Sequence, residues 1–343
     1  MKTECIADEI QLDERLSRPT PRLVEALARL DGDLIVLGVA GKMGVNLAQQ
    51  ALRASREAGS RRRVLGVARF TDPAARRKLE TSGVKTLACD LLDPDAVRTL
   101  PRAPLVVFMA GQKFGTEDRP ELTWAVNTLT PAHVCRHFAD SRIVAFSTGC
   151  VYPLVPPAQG PVDESARPDP VGEYGQACLG RERIFEHFSR TQGTRVCLLR
   201  LCYAIDLRYG VLHDIAQRVW RGQPVPLSVT HFNMIWQGDA NAMALQALQH
   251  CTAPPTPLNL TGPWILQTRE VALAFGRLLK KDVRWAGPEG PRAYLADARK
   301  ALERFGGVTV QPAEMIEWTA RWVAAGGRSL GKPTHFEVSD GRF

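Results

Sequence analysis

Gly38-Val39-Ala40-Gly41-Lys42-Met43-Gly44 joins an apolar run at 34–38 to a segment of helical spacing at 44–57. Glycines three residues apart let a backbone turn sharply, approach a pyrophosphate and seat the next helix close against the strand. That helix begins with N–H groups lacking intrahelical partners and with the positive end of its dipole, both suited to phosphate. Glycines alone would fit any tight strand–helix turn, but here a strand precedes them and a helix follows, the context such a motif requires. The stretch therefore predicts a dinucleotide held at Gly38, Gly41, Lys42, Met43 and Gly44.

Outward from this turn, short apolar runs alternate with longer periodic segments. Strands are expected at 34–38, 64–68, 84–89, 105–109 and 143–147, with helices at 44–57 and 122–139. Such alternation indicates an α/β fold with a doubly wound parallel sheet, a Rossmann fold, covered by helices. Beyond residue 200 the alternation loosens and prolines gather at Pro224, Pro226, Pro254, Pro255 and Pro257, which marks a smaller C-terminal substrate domain. The expected organisation is an extension with one short helix over 1–30 and a dinucleotide-binding domain over 31–203, with 231–250 packing back on it. A substrate domain over 204–325, with its last helix at 313–325, and a tail over 326–343 complete it.

Bulk properties narrow the function. The 343 residues are 45% hydrophobic and 23% charged, ordinary for a globular protein with a large core. The net charge of +8 comes from scattered arginines and small clusters such as Arg61-Arg62-Arg63, which read as solvated helix faces rather than a nucleic-acid patch. The eight cysteines form no Cys-x-x-Cys pair and no zinc-spaced Cys/His group, so no metal is expected and reduced thiols are the simpler reading. Glu4, Asp8 and Glu9 argue against a signal peptide, and no apolar run approaches the roughly 20 residues of a membrane span. A cytoplasmic protein without membrane partners is expected.

Further motifs follow the glycine turn in an order that resembles the extended (epimerase/dehydratase) branch of the short-chain dehydrogenase/reductase superfamily, across roughly residues 32–322. Cys89-Asp90-Leu91-Leu92-Asp93 looks like the segment whose first Asp meets the adenine. Phe108-Met109-Ala110-Gly111-Gln112-Lys113 is similar to the loop lining the nicotinamide side, Asn127 to a helix Asn that supports the active site. Phe146-Ser147-Thr148-Gly149-Cys150-Val151-Tyr152 matches the strand end carrying the catalytic Ser/Thr, here Thr148, and Tyr174 follows at the expected distance. The resemblance implies NAD(P), with Asp90, Leu91, Ala110, Gly111, Lys113, Asn127, Tyr174 and Cys178 at the cofactor. It also implies a homodimer paired through the helices around Asn127 and Tyr174. The second strand ends Val67-Ala68-Arg69 with no acid to meet the ribose hydroxyls of NAD; Arg69 suits a 2′-phosphate, so NADP is preferred over NAD.

The departures are specific. In the family a Lys four residues after the Tyr lies on the same helical face, holds the nicotinamide ribose and lowers the tyrosine pKa; here that position is Cys178. A free Tyr titrates near 10, so at pH 7 its phenolate is disfavoured by about 4 kcal/mol, and a neutral thiol does nothing to reduce that. Lys113 and Arg181 are the nearest substitute cations by motif position. Tyr203 stands where galactose epimerases carry a substrate-binding Asn, while Phe232 and Gly287 stand where cations contact a nucleotide diphosphate. With those cations missing, a doubly charged diphosphate is harder to bind. The reading is an NAD(P)-dependent oxidoreductase or epimerase acting on a hydroxyl or keto group of a small carbohydrate-like substrate, a sugar or sugar acid. Tyr203, Asn233 and Trp236 would line its pocket. The alternatives are a catalytically silent dinucleotide-binding sensor or scaffold, or a dehydratase or lyase with a different base. The segment Lys332-Pro333-Thr334-His335-Phe336 suggests a tail that docks on the body or on a second subunit.

Overall fold

A computed structural model describes residues 6–113, 118–332, 334–338 and 340–341; Glu4 and Pro333 lie outside the described residues. The predicted apolar runs become strands β1 (Leu34–Leu37), β2 (Val64–Ala68), β3 (Lys85–Ala88), β4 (Leu105–Phe108) and β5 (Arg142–Thr148), followed by β6 (Arg195–Leu201). β1, β2 and β4 are buried throughout, as continuous apolar runs in a parallel sheet must be. A seventh strand, Thr256–Leu260, lies beside β6, so the order across the sheet is β3, β2, β1, β4, β5, β6 and Thr256–Leu260. Every pairing is parallel. The strand order reverses between β1 and β4, and such a switch point opens a crevice beyond the strand ends.

Strand residues alternate between two cores. On one face Leu34, Val36 and Val107 meet α2 (Pro21–Ala28) and α3 (Gly44–Glu57). On the other, Ile35, Val106 and Phe108 meet the helices that follow β3 and β4. Those on the second face include α5 (Pro94–Arg98), α7 (Thr130–His137) and the long α8 (Gly172–Gln192); α4 (Pro73–Ser82) packs on α3 beside β3. A third core stands beyond the sheet: α1 (Glu9–Ser17), α9 (Val211–Trp220), α11 (Thr268–Leu279) and α13 (Pro312–Ala324) enclose Trp318, Phe275 and Met234. α10 (Gln237–Gln246) lies on α2 and α3, and α12 (Arg299–Phe305) near the strand Thr256–Leu260.

Three features differ from expectation, and a fourth agrees with it. The extension holds two helices; α1 begins at Asp8, whose carboxylate caps Gln11 N–H, and buries Leu12 and Leu16, spaced one turn apart. The helix expected at 122–139 divides into α6 (Pro120–Trp124), a π-helical turn (Ala125–Leu129) and α7. That turn carries Asn127, and π turns are frequent at functional sites. The seventh sheet strand comes from within the expected substrate domain, where flanking prolines obscure it; an edge strand tolerates proline. The tail does return to the body: Phe336 is buried in the third core, and Thr334 N–H donates to Asp214 at 2.8 Å.

Candidate active site

Two adjoining cavities open at the carboxyl ends of the strands. The first is lined by Gly38, Gly41, Arg69, Asp90, Leu91 and the backbone of Ala110 and Gly111. Gly38 has φ +87, and a Cβ there would stand 2.6 Å from Ala110 N, so only glycine fits this turn. Gly44 likewise has Val39 carbonyl where a Cβ would go. α3 starts immediately after, with no side chain capping its N-terminus. Its orphan N–H groups are left for phosphate oxygens. A close-packed glycine cradle, an uncapped helix and a cleft reaching Asp90 fit a dinucleotide. Arg69 is exposed at the cleft's edge.

The second cavity lies beside it, lined by Thr148, Tyr174 and Tyr203 among others. β5 ends at Thr148, which caps the following turn by accepting from Cys150 N–H at 3.2 Å. α8 brings Tyr174 to it, with the Thr148 hydroxyl near enough to ease the Tyr174 proton's release. Burial drives the Tyr174 pKa well above its ordinary value, the neighbouring Cys178 and Cys150 thiols add to this, and Arg181 opposes it. Cys178 is fully buried one turn along α8, and burial lifts its pKa to about 11. At neutral pH this site holds a protonated phenol and neutral thiols.

A cation does stand near the gap. Tyr174, Cys178 and Arg181 occupy one helical face at i, i+4 and i+7. The Arg181 guanidinium donates to Phe146 carbonyl at 2.7 Å and to Asn127 Oδ1. It lies so close to Gly111 that a Cβ there would collide with it. Its Nε is buried with no hydrogen-bond partner among the described residues. Asn127, fully buried, also bonds both backbone groups of Gln112. Arg181 thus fills the space between Asn127 and the loop that follows β4.

Beneath the strand ends runs a buried polar chain that gives no signal at sequence level. Ser147 Oγ donates to Glu182 at 2.6 Å, and Arg200 grips Glu182 through Nε and Nη2 at 3.0 and 2.8 Å. Arg200 Nη1 reaches Tyr152 Oη at 2.8 Å, which donates on to Asn259. These links lock β5, α8, β6 and the strand Thr256–Leu260 around Thr148.

Several expected site residues fall elsewhere. Lys42 leaves the phosphate turn and lines the second cavity, where its ammonium donates to Ala204 carbonyl at 2.7 Å and lies 4.0 Å over the Tyr209 ring. Met43 lines the same cavity. Lys113 is there also, its amine 3.5 Å from Thr334 carbonyl. Asn233 and Trp236 do not reach it. Asn233 is spent on Trp264 carbonyl and Ala296 N–H, at 2.9 and 2.8 Å, and Trp236 packs edge-on against Trp318 at 5.5 Å. Tyr203 does line the cavity, in a left-handed backbone conformation with φ +33. Tyr209 and Tyr294, unflagged by spacing, complete the wall. Phe232 is buried against Tyr203 and Gly287 sits in an exposed turn, so neither bears on a ligand.

The model of the NAD dependent epimerase/dehydratase family matches residues 34–218, more than half of the chain. The chain belongs to this family. Its members are enzymes that use NAD, and this one carries the Rossmann sheet they share. No curated protein matches the chain. Among solved structures, it is similar to the UDP-glucose 4-epimerase of Thermus thermophilus in complex with NAD. The identity is 21% and the TM-score 0.69, over 86% of this chain and 99% of that one. DesIV, a dTDP-glucose 4,6-dehydratase from Streptomyces venezuelae with NAD and TYD bound, is 19% identical with a TM-score of 0.73, over 84% and 96%. A mutant UDP-glucuronic acid 4-epimerase from Bacillus cereus, complexed with NAD and a fluorinated UDP-sugar acid, is 17% identical with a TM-score of 0.69, over 85% and 98%. At these identities the likeness is one of fold. Among the described residues no helix is long and apolar enough to cross a membrane, and no group of His, Cys, Asp or Glu is arranged to hold a metal.

Proposed function

We propose that the protein is an NAD(P)-dependent oxidoreductase or epimerase acting at a hydroxyl or keto carbon of a small carbohydrate-like substrate rather than a nucleotide sugar. The observation that carries this is that Thr148 and Tyr174 line one cavity beside the glycine-turn cleft. Gly38, Gly41 and Gly44 with the start of α3 would hold the pyrophosphate, Asp90 and Leu91 the adenine end, and Ala110 and Gly111 the nicotinamide end. Bound there, NAD(P) supplies or accepts a hydride. Thr148 and Tyr174 would orient the substrate oxygen by hydrogen bonds, and Tyr174 would move the proton at that oxygen. Because burial keeps Tyr174 protonated, proton donation to a carbonyl is the favoured direction, and proton removal from an alcohol is the slow one. Arg181, with Asn127, stands in for the lysine replaced by Cys178. The absence of cations at Phe232 and Gly287 supports a small substrate, since a diphosphate would lack partners.

Following nicotinamide absorbance with a panel of aldoses, ketoses, sugar acids and nucleotide sugars tests this reading. Turnover with small sugars or acids is expected; turnover confined to nucleotide sugars would overturn it. NADP is the expected coenzyme on account of Arg69. The same reading includes a homodimer paired through α6, α7 and α8, a face on which Trp124 is 37% and Leu129 50% exposed. Light scattering that finds only monomers would remove that part.

A further inference from the structure

The second cavity has a charged pole that the catalytic pair does not use. Lys42 and Lys113 both line it, and among the described residues no Asp or Glu does. The carboxylates behind the wall are already engaged. Asp206 holds Arg208 through both oxygens, at 3.0 and 2.7 Å, and Asp214 accepts from the Thr334 N–H and hydroxyl. Lys42 gives one of its three N–H bonds to Ala204 carbonyl and lies over the Tyr209 ring, which leaves donors directed at the cavity. On another wall, Tyr294 is 7% exposed and its hydroxyl has no partner among the described residues. A buried orphan hydroxyl is destabilising, and a ligand oxygen in this cavity would remove that cost. Its segment is held rigidly, with Ala293 paired to Val155 and Ala296 N–H to Asn233. Among the described residues no arginine lines the cavity, so they offer no planar fork suited to a phosphate ester.

From this we infer that the substrate is a small hydroxy or keto acid, its carboxylate received between Lys42 and Lys113 and a hydroxyl farther along bonded by Tyr294. The inference rests on the proposed function, whose site it shares, but is tested by binding rather than by turnover. With NADP or NAD present, whichever binds, matched acids and neutral compounds (D-glucuronate, D-gluconate and D-glycerate against D-glucose, D-sorbitol and glycerol) are titrated into the full-length protein by calorimetry. At least one acid is expected to bind roughly tenfold or more tightly than its neutral partner. Lys42→Gln should abolish that preference while coenzyme affinity and melting temperature change little. Tyr294→Phe should weaken acid binding without lowering the melting temperature, since its hydroxyl has no partner to lose. Equal binding of acids and neutral partners, no binding of any acid, a preference that survives Lys42→Gln, or tighter capture of glucose 6-phosphate than of glucuronate would each overturn the inference. Turnover of neutral sugars alone would leave the proposed function standing without it. Acid binding without any turnover would do the reverse.

Discussion

Tyr174 sits where a phenol is easily kept protonated and hard to ionise. Burial is the main cause, the thiols of Cys178 and Cys150 add to it, and Arg181 only partly compensates. Tyr174→Phe should lower single-turnover reduction by about 10²–10⁴-fold, the usual loss of a general acid, while coenzyme binding persists; an unchanged rate would assign Tyr174 no part in proton transfer. Lys42 makes a separate claim on pH. Burial holds its pKa down to about 7, Lys113 and Arg208 push the same way, and Asp206 and Asp214 pull it up. The Tyr209 ring, with its hydroxyl neutral through this range, faces it too. Lys42 is therefore charged below about pH 7 and neutral above, so affinity for a small acid should fall as pH rises from 6 to 9. Neutral ligands should show no such slope, and a flat profile for acids would show that Lys42 is not their partner. The sequence pairs Thr148 with Tyr174, and both line one cavity, because strand end and helix start are local features. It misplaces Lys42, because the direction of a long side chain is settled by Ala204 carbonyl, 162 residues away.

Two elements outside the expected machinery bear on its geometry. Glu182 on α8 and Arg200 on β6 form a buried ion pair, at 0% and 4% side-chain exposure, that fixes Ser147 beside Thr148. Arg200→Met would strand the Glu182 carboxylate and should cost about 3–5 kcal/mol of stability, measurable by urea denaturation; a loss below about 1 kcal/mol would mean that the pair is dispensable. The tail is the other. Phe336 is buried in the third core while Thr334 lines the second cavity and meets Asp214 and Lys113. Phe336→Ala should destabilise by about 3–5 kcal/mol and weaken substrate binding through Thr334. Equal stability and affinity would show the tail to be ornamental. The ion pair was not legible beforehand, and of the tail only that it would dock. A buried Arg–Glu pair joins residues 18 apart whose approach depends on strand order, and the tail's destination depends on a core assembled from four distant helices.

At the scale of the molecule, the doubly wound sheet was readable from its first half. β1, β2, β4 and β5 are short, apolar and bounded by turn residues, and α3 follows a glycine turn whose steric demands leave few alternatives. The seventh strand escaped because Thr256–Leu260 carries a proline and follows two more, acceptable only because it forms an edge of the sheet. The substrate side was read less fully: Tyr203 was expected there, but Tyr209 and Tyr294 come from separated segments and meet only in the folded chain. The two halves join at one cleft, and everything proposed about the chemistry requires a nicotinamide coenzyme in it. Calorimetric titration of purified protein with NAD, NADH, NADP and NADPH tests this most directly. Saturable one-to-one binding of at least one coenzyme pair is predicted, with Arg69→Ala weakening the NADP forms and sparing the NAD forms. No measurable affinity for any of the four would contradict the account.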